Sequence, residues 1–68
     1  MKSKFSKRLK ELRTEKGLSQ IELAKNVGVG KSAISLWELN ECEPTLSKLT
    51  VLADFFGVTL DYLAGREE

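Results

Sequence analysis

The sequence contains no histidine and only one cysteine, Cys42, which we interpret as an ordinary loop residue. Without histidine, Ser-His-Asp and Cys-His catalysis are excluded, and the common zinc sites lose their ligands. A single cysteine cannot form an internal disulfide, which suits a reducing compartment. We therefore expect no enzymatic activity, metal, cofactor or small-molecule substrate, and we expect a cytoplasmic location.

Long apolar runs are also missing. No run approaches membrane-spanning length, and the basic start, MKSKFSKRLK, leads into no apolar segment of a signal peptide. We therefore expect no membrane association. The 68 residues leave room for one domain, residues 1–68, whose core lies near the lower limit for independent stability.

Glycine and proline are scarce, with five and one residues, and no stretch alternates with period two for long enough to indicate a strand. Apolar residues instead recur at helical spacing, which predicts an all-α fold. The predicted helices are short and cover residues 5–16, 19–27, 31–39, 46–56 and 60–64. Their predicted starts are Ser3, the capping box Ser19-x-x-Glu22, Gly30, Pro44-Thr45 and Thr59, and their predicted ends are Gly17, Gly28, Asn40, Gly57 and Gly65.

The stretch GVGKSAIS, residues 28–35, looks like the end of a phosphate-binding loop. A complete loop needs a glycine five residues before Gly30, where Lys25 stands, and it needs a preceding strand, where the pattern predicts a capped helix. We therefore interpret the two glycines as turn residues between two helices. Helices joined by about three residues are typical of a helix-turn-helix.

Charge is unevenly distributed along the chain. Residues 1–16 carry seven positive and two negative side chains, and residues 17–68 carry four positive and eight negative ones. In the third helix, Ala33, Ile34 and Trp37 share one side, and a small, mixed polar face lies opposite, formed by Lys31, Ser32, Ser35, Leu36 and Leu39. The basic segment and the mixed face suit an anionic partner, but ordinary solvated helix faces produce the same patterns.

Several motifs occur together in register: L-S-Q-x-E-L-A at 18–24, G-V at 28–29, I-S-x-W-E at 34–38, Pro44, L-A-x-x-x-G-V at 52–58 and D-Y-L at 61–63. From Phe5 to Gly65 the chain resembles the lambda-repressor/Cro-type helix-turn-helix family, also called the XRE family. The resemblance implies a compact five-helix, lambda-repressor-like domain with the helix-turn-helix at helices 2 and 3. It also implies double-stranded operator DNA as the partner, usually palindromic and bound by a homodimer, and a role in transcription, which we expect to be repression.

The resemblance implies roles for individual residues. Lys31, Ser32, Ser35 and Leu36 take positions that face base edges in the major groove. Leu36 replaces a residue that is commonly polar; it can contact a thymine methyl, and the alternative is a solvent-exposed or dimer-facing leucine. Arg13 and Glu38 take the positions of an ion pair that orients the reading helix. The expected phosphate contacts are Gln20 and Arg13, with Lys10, Lys7 and Lys4 as generic candidates on the basis of their charge. The expected dimer contacts are Leu60 and Tyr62, together with Phe55, for which a partly buried core position is an equal alternative.

Two departures from the family pattern stand after Glu38. Asn40 replaces an expected glycine, which the left-handed tolerance of asparagine allows. Glu41 and Glu43 make the following loop acidic, where the family often has basic residues, so non-specific DNA binding should be weakened. The acidic loop and the net charge of +1 also suit the alternative function, a protein-interaction module on the same fold without specific DNA binding.

Overall fold

A computed structural model describes residues 4–66, and all the secondary structure in this range is helical. The helices are α1 (Phe5–Glu15), α2 (Gln20–Val27), α3 (Lys31–Glu38), α4 (Leu46–Phe56) and α5 (Leu60–Ala64). The predicted all-α class and the five helices are confirmed. Three helices are one residue shorter than predicted, since α1 ends before Lys16, α2 begins after Ser19 and α3 ends before Leu39.

Side-chain hydroxyls cap the N-termini of three of the helices. Ser19 accepts a hydrogen bond from the backbone N–H of Glu22, and the Glu22 carboxylate accepts one from the Ser19 N–H, which completes the predicted capping box. Hydrogen bonding by Ser19 to the Glu22 carboxylate, first from its backbone N–H and then from its side chain, lowers the pKa of this carboxyl. The hydroxyls of Thr45 and Thr59 cap α4 and α5 by accepting hydrogen bonds from the backbone N–H groups of Lys48 and Tyr62. The predicted cap of α1, Ser3, lies outside the described residues.

Asn40, just after the end of α3, adopts the left-handed backbone conformation, with a φ of 61°. It directly follows Leu39, and the N–H of the next residue, Glu41, donates to the carbonyl of Leu36 at 2.9 Å. This arrangement satisfies backbone groups that the end of a helix otherwise leaves open. The prediction that Asn40 can replace a glycine at this position is confirmed.

One apolar core holds the helices together. In it α3 packs against α1 and α2, while α5 packs against α1 and α4. The rings of Phe5 and Trp37 meet edge to face, with centroids 6.4 Å apart. The buried apolar residues are Phe5, Leu9, Leu23, Ala24, Val27, Ile34, Trp37, Leu52, Ala53 and Leu63.

Two residues with helical spacing lie outside this core. Leu46 shares the helical spacing of Leu49, Leu52 and Phe56, but it is 72% exposed. Lys16 continues the spacing of Phe5, Leu9 and Leu12 in the predicted first helix, and it is exposed as well. Leu46 is the first residue of α4 and Lys16 caps the end of α1. Side chains at helix ends can project past the neighbouring helix, so their spacing alone did not determine burial.

Gly65 brings the end of α5 close to the start of α1. Its φ is +85°, and a Cβ added to it would lie 2.6 Å from the Cβ of Lys4, whereas a Cβ at Gly17, with a φ of +70°, would meet no atom within 4 Å. We expect Gly65→Ala to lower the free energy of unfolding by more than the roughly 1–2 kcal/mol that a left-handed alanine costs. Gly17→Ala, which has the backbone cost without the clash, is the control in urea unfolding. Equal losses would contradict the close approach.

Candidate nucleic-acid interface

The joint between α2 and α3 consists of Gly28, Val29 and Gly30. Gly28 is left-handed, with a φ of 75°, and Gly30 is extended and caps α3. Between them Val29 packs against the core, and its N–H donates to the carbonyl of Ala24 at 3.0 Å. An α-helix, and no strand, precedes these glycines. The joint is therefore the turn of a helix-turn-helix, and the phosphate-loop interpretation of GVGKS is excluded.

The two sides of α3 have different surroundings. Its inner side carries Ile34 and Trp37, which are 0% and 5% exposed. Its outward side carries five residues. Ser35 is half-buried, and the other four are exposed: Lys31, Ser32, Leu36 and Leu39. We call Lys31, Ser32, Ser35 and Leu36 the outer face of α3. The sequence-predicted base-reading residues thus share one accessible surface, on a helix whose opposite side is fixed in the core.

An ion pair between Arg13 of α1 and Glu38, the last residue of α3, fixes the end of the helix. The Arg13 Nε donates to the Glu38 Oε2 at 2.6 Å, and its Nη2 donates to the Oε1 at 3.0 Å. The side chains are only 12% and 5% exposed. The hydrogen bond to Glu38 raises the pKa of Arg13; burial opposes this effect and the Glu38 charge adds to it.

Two further bonds extend this ion pair into a network. The Arg13 Nη1 donates to the carbonyl of Leu18 at 2.8 Å, and the Gln20 Nε2 donates to the Glu38 Oε1 at 3.1 Å. One carboxylate therefore joins the end of α3 to both α1 and the start of α2. The sequence analysis missed the bond between Gln20 and Glu38, because a contact across 18 positions leaves no trace in helical periodicity.

The remaining predicted phosphate residues lie on α1, except the further candidate Lys4, which is exposed and directly precedes it. Lys7 and Lys10 are exposed. Arg8 is half-buried and serves the fold: it donates to the carbonyl of Tyr62, and its guanidinium carbon lies 4.3 Å from the centre of the Tyr62 ring. In the described part of the basic start, residues 4–10, the positive side chains therefore divide into exposed lysines and an arginine that ties α1 to α5.

The predicted dimer residues lie on α4 and α5. Leu60 is 36% exposed. Tyr62 is half-buried beneath Arg8. Phe55 is also half-buried and packs edge to face on Phe56, with centroids 5.1 Å apart. Of the three, Leu60 has the most accessible side chain.

Neither a metal-ligand cluster nor a membrane-spanning helix is present in the described part of the chain. Among residues 4–66 no group of three or more potential metal ligands comes together. None of the helices in this range combines the length and apolar character needed to cross a bilayer. Cys42 is exposed, as are Glu41 and Glu43 on either side of it.

Comparisons with known proteins agree with this geometry. The chain is 41% identical over 64 residues to the transcriptional activator BcrR of Enterococcus faecalis, covering 94% of this chain and 31% of BcrR. It is 36% identical over 64 residues to the cryptic phage CTXphi transcriptional repressor RstR of Vibrio cholerae, covering 94% of this chain and 58% of RstR. The chain thus spans less than two thirds of the length of either relative.

A solved structure and a family model complete the comparison. The P22 c2 repressor, crystallised with a synthetic operator, is 33% identical and superposes with a TM-score of 0.87, covering 93% of this chain and 96% of the repressor chain. The family model described as helix-turn-helix matches residues 9–63. The chain belongs to the helix-turn-helix family of the lambda-repressor/Cro type.

Proposed function

We propose that this chain is a sequence-specific, double-stranded-DNA-binding regulator of transcription that reads the major groove with α3. The observation that carries the proposal is the contrast between the two sides of this helix. Ile34 and Trp37 fix its inner side, the Arg13–Glu38 pair holds its end, and the outer face stays accessible. The major groove of B-DNA admits an α-helix, so a rigidly held helix with a small outer face can approach base edges.

Within this proposal the outer face makes the base contacts. Lys31, at the first position of α3, can donate to the O6 and N7 of guanine. Ser32 and Ser35 carry hydroxyls that donate and accept, so they can pair with any base. Leu36 supplies an apolar surface beside them.

The phosphate contacts in this proposal surround the outer face. Gln20 stands at the start of α2, where the first turn leaves backbone N–H groups without intrahelical partners and attracts anions. Lys7 and Lys10 add exposed charge on α1. Arg13 uses three of its five N–H groups inside the domain, so we assign it mainly to positioning α3, with two N–H groups left for a phosphate.

We further propose that the chain represses transcription as a homodimer on a palindromic operator in the cytoplasm. The names of RstR and of the P22 protein support repression, whereas BcrR is named an activator. A domain of this size touches few base pairs, and two copies on a two-fold axis double the contacts.

Affinity for mixed-sequence duplex DNA across a salt series tests the proposal. We expect the observed binding constant to fall steeply with salt concentration, because each phosphate contact releases counterions. Binding without salt dependence, or no binding, would favour the protein-interaction module, which the acidic Glu41 and Glu43 suit. The same titration on a duplex selected from a random pool then measures the preference for a specific site.

Two variants in the same assay separate base contacts from phosphate contacts. Lys31→Ala should cost roughly 1–3 kcal/mol on the selected duplex and relax the preference at one base position. Gln20→Ala should weaken binding to the selected and the mixed duplexes by the same factor, because phosphates carry no sequence information. If both variants bind like the parent, the assignment of α3 to the groove is wrong.

A further inference from the structure

The outer face of α3 has few groups that can distinguish one base pair from another. Lys31 is its only charged side chain. The hydroxyls of Ser32 and Ser35 each donate and accept a hydrogen bond, so they are compatible with all four bases. Ser35 is also half-buried. Hydrogen bonding alone therefore gives the helix a clear preference at its first residue and little preference further along.

Leu36 provides the discrimination that the hydroxyls do not. Its side chain is 42% exposed, and it does not belong to the core or to the apolar residues packed against the core. It lies four residues after Ser32, so the two side chains are neighbours on one side of the helix. When this side faces base edges, Leu36 faces them too. The apolar group exposed on base edges in the major groove is the C5-methyl of thymine.

We propose that Leu36 is a specificity-determining residue that packs against a thymine methyl and favours a thymine at one position of each half-site. This inference rests on the proposed function. A cytosine at that position offers no methyl, and a purine places polar N7 and O6 or N6 groups in the groove. Leucine gains apolar burial only with thymine. The preference is therefore for a methyl group and not for a hydrogen-bond pattern.

Replacing thymine by deoxyuridine removes this methyl and leaves every hydrogen-bonding group of the base unchanged. The probe is the duplex selected by the parent chain from a random pool. In each version of this duplex, deoxyuridine replaces two thymines that the two-fold axis relates, one in each half-site, and the versions together cover every such position. For the parent we expect one such replacement to weaken binding by about fourfold per half-site, the value of one buried methyl-sized group. If no replacement weakens binding to the selected duplex, the inference is overturned while the proposed function stands.

Variants show whether Leu36 reads the methyl. Leu36→Gln should lose the deoxyuridine effect, and Leu36→Met, which keeps an apolar side chain, should retain it. Val51→Gln is the matched control, because Val51 is 43% exposed but lies on α4; it should keep the parent's profile. A Leu36→Gln protein with the parent's profile would overturn the inference. A pool in which no sequence is enriched would overturn the proposed function and this inference together.

Discussion

Replacing Glu38 by alanine is expected to lower the free energy of unfolding by about 3–5 kcal/mol, the cost of breaking a buried ion pair from one side. The Arg13 side chain is 12% exposed, so its guanidinium would stay largely out of water without its carboxylate. Gln20 would lose the acceptor of its Nε2 bond. Urea unfolding at neutral pH measures the loss, which is large for a domain whose total stability is of the order of 5–15 kcal/mol.

Glu41→Ala provides the control for the loss of one carboxylate. Glu41 is exposed, and its hydrogen bond to the carbonyl of Leu36 uses the backbone N–H, which alanine keeps. We expect this change to stay within about 0.5 kcal/mol of the parent, as is usual for surface substitutions. A loss as large as that of Glu38→Ala would show that negative charge in this region matters, and not the pairing with Arg13.

A double-mutant cycle isolates the pair itself. Arg13→Met and Glu38→Leu each leave one partner unpaired, whereas the double variant replaces both with apolar groups, which buried sites often tolerate. We expect the double variant to be more stable than the sum of the single losses predicts, with a coupling of about 1–3 kcal/mol. A coupling near zero would mean that the two side chains form only a surface contact.

Much of the fold could be predicted from the sequence because local signals define it. The capping box at Ser19 and Glu22, the hydroxyl caps at Thr45 and Thr59, and the left-handed Asn40 all depend on residues within a few positions of one another. Each signal has one physical cause, a backbone group at a helix end that needs a partner or a conformation that few residues adopt. These causes operate before any tertiary contact is known.

The candidate site depended on contacts of a different kind. The bond from Gln20 to Glu38 spans 18 positions and that from Arg8 to Tyr62 spans 54, and neither follows from helical spacing. The pairing of Arg13 with Glu38 was implied only by the family resemblance. Polar contacts between helices depend on how the helices pack. The periodicity of one helix predicts which of its sides is buried, but it does not predict which polar groups of a neighbouring helix come close.

The proposed homodimer depends on the C-terminal helix, where Leu60 exposes 36% of its surface. Tyr62 is half-buried under Arg8, and Phe55 lies half-buried against the core. An interface centred on one leucine buries little area, which predicts weak association in solution. Two protomers bound to one duplex would meet at a high effective concentration, so DNA should strengthen the contact.

We therefore expect two protomers on a palindrome whose half-sites lie about 34 Å apart, one turn of DNA. Its affinity should exceed that of a single half-site by about 100-fold or more. Leu60→Glu should remove this gain and leave single half-site binding unchanged, because a charge in the contact opposes association. Leu46→Glu is the control, since Leu46 is 72% exposed but lies at the start of α4, and it should keep the gain.

Moving the half-sites apart by half a turn should also remove the gain, because the second protomer then faces away from the first. Sedimentation and titration on these duplexes decide the matter: one protomer per intact palindrome, or a gain that survives Leu60→Glu, would contradict a dimer built on α5.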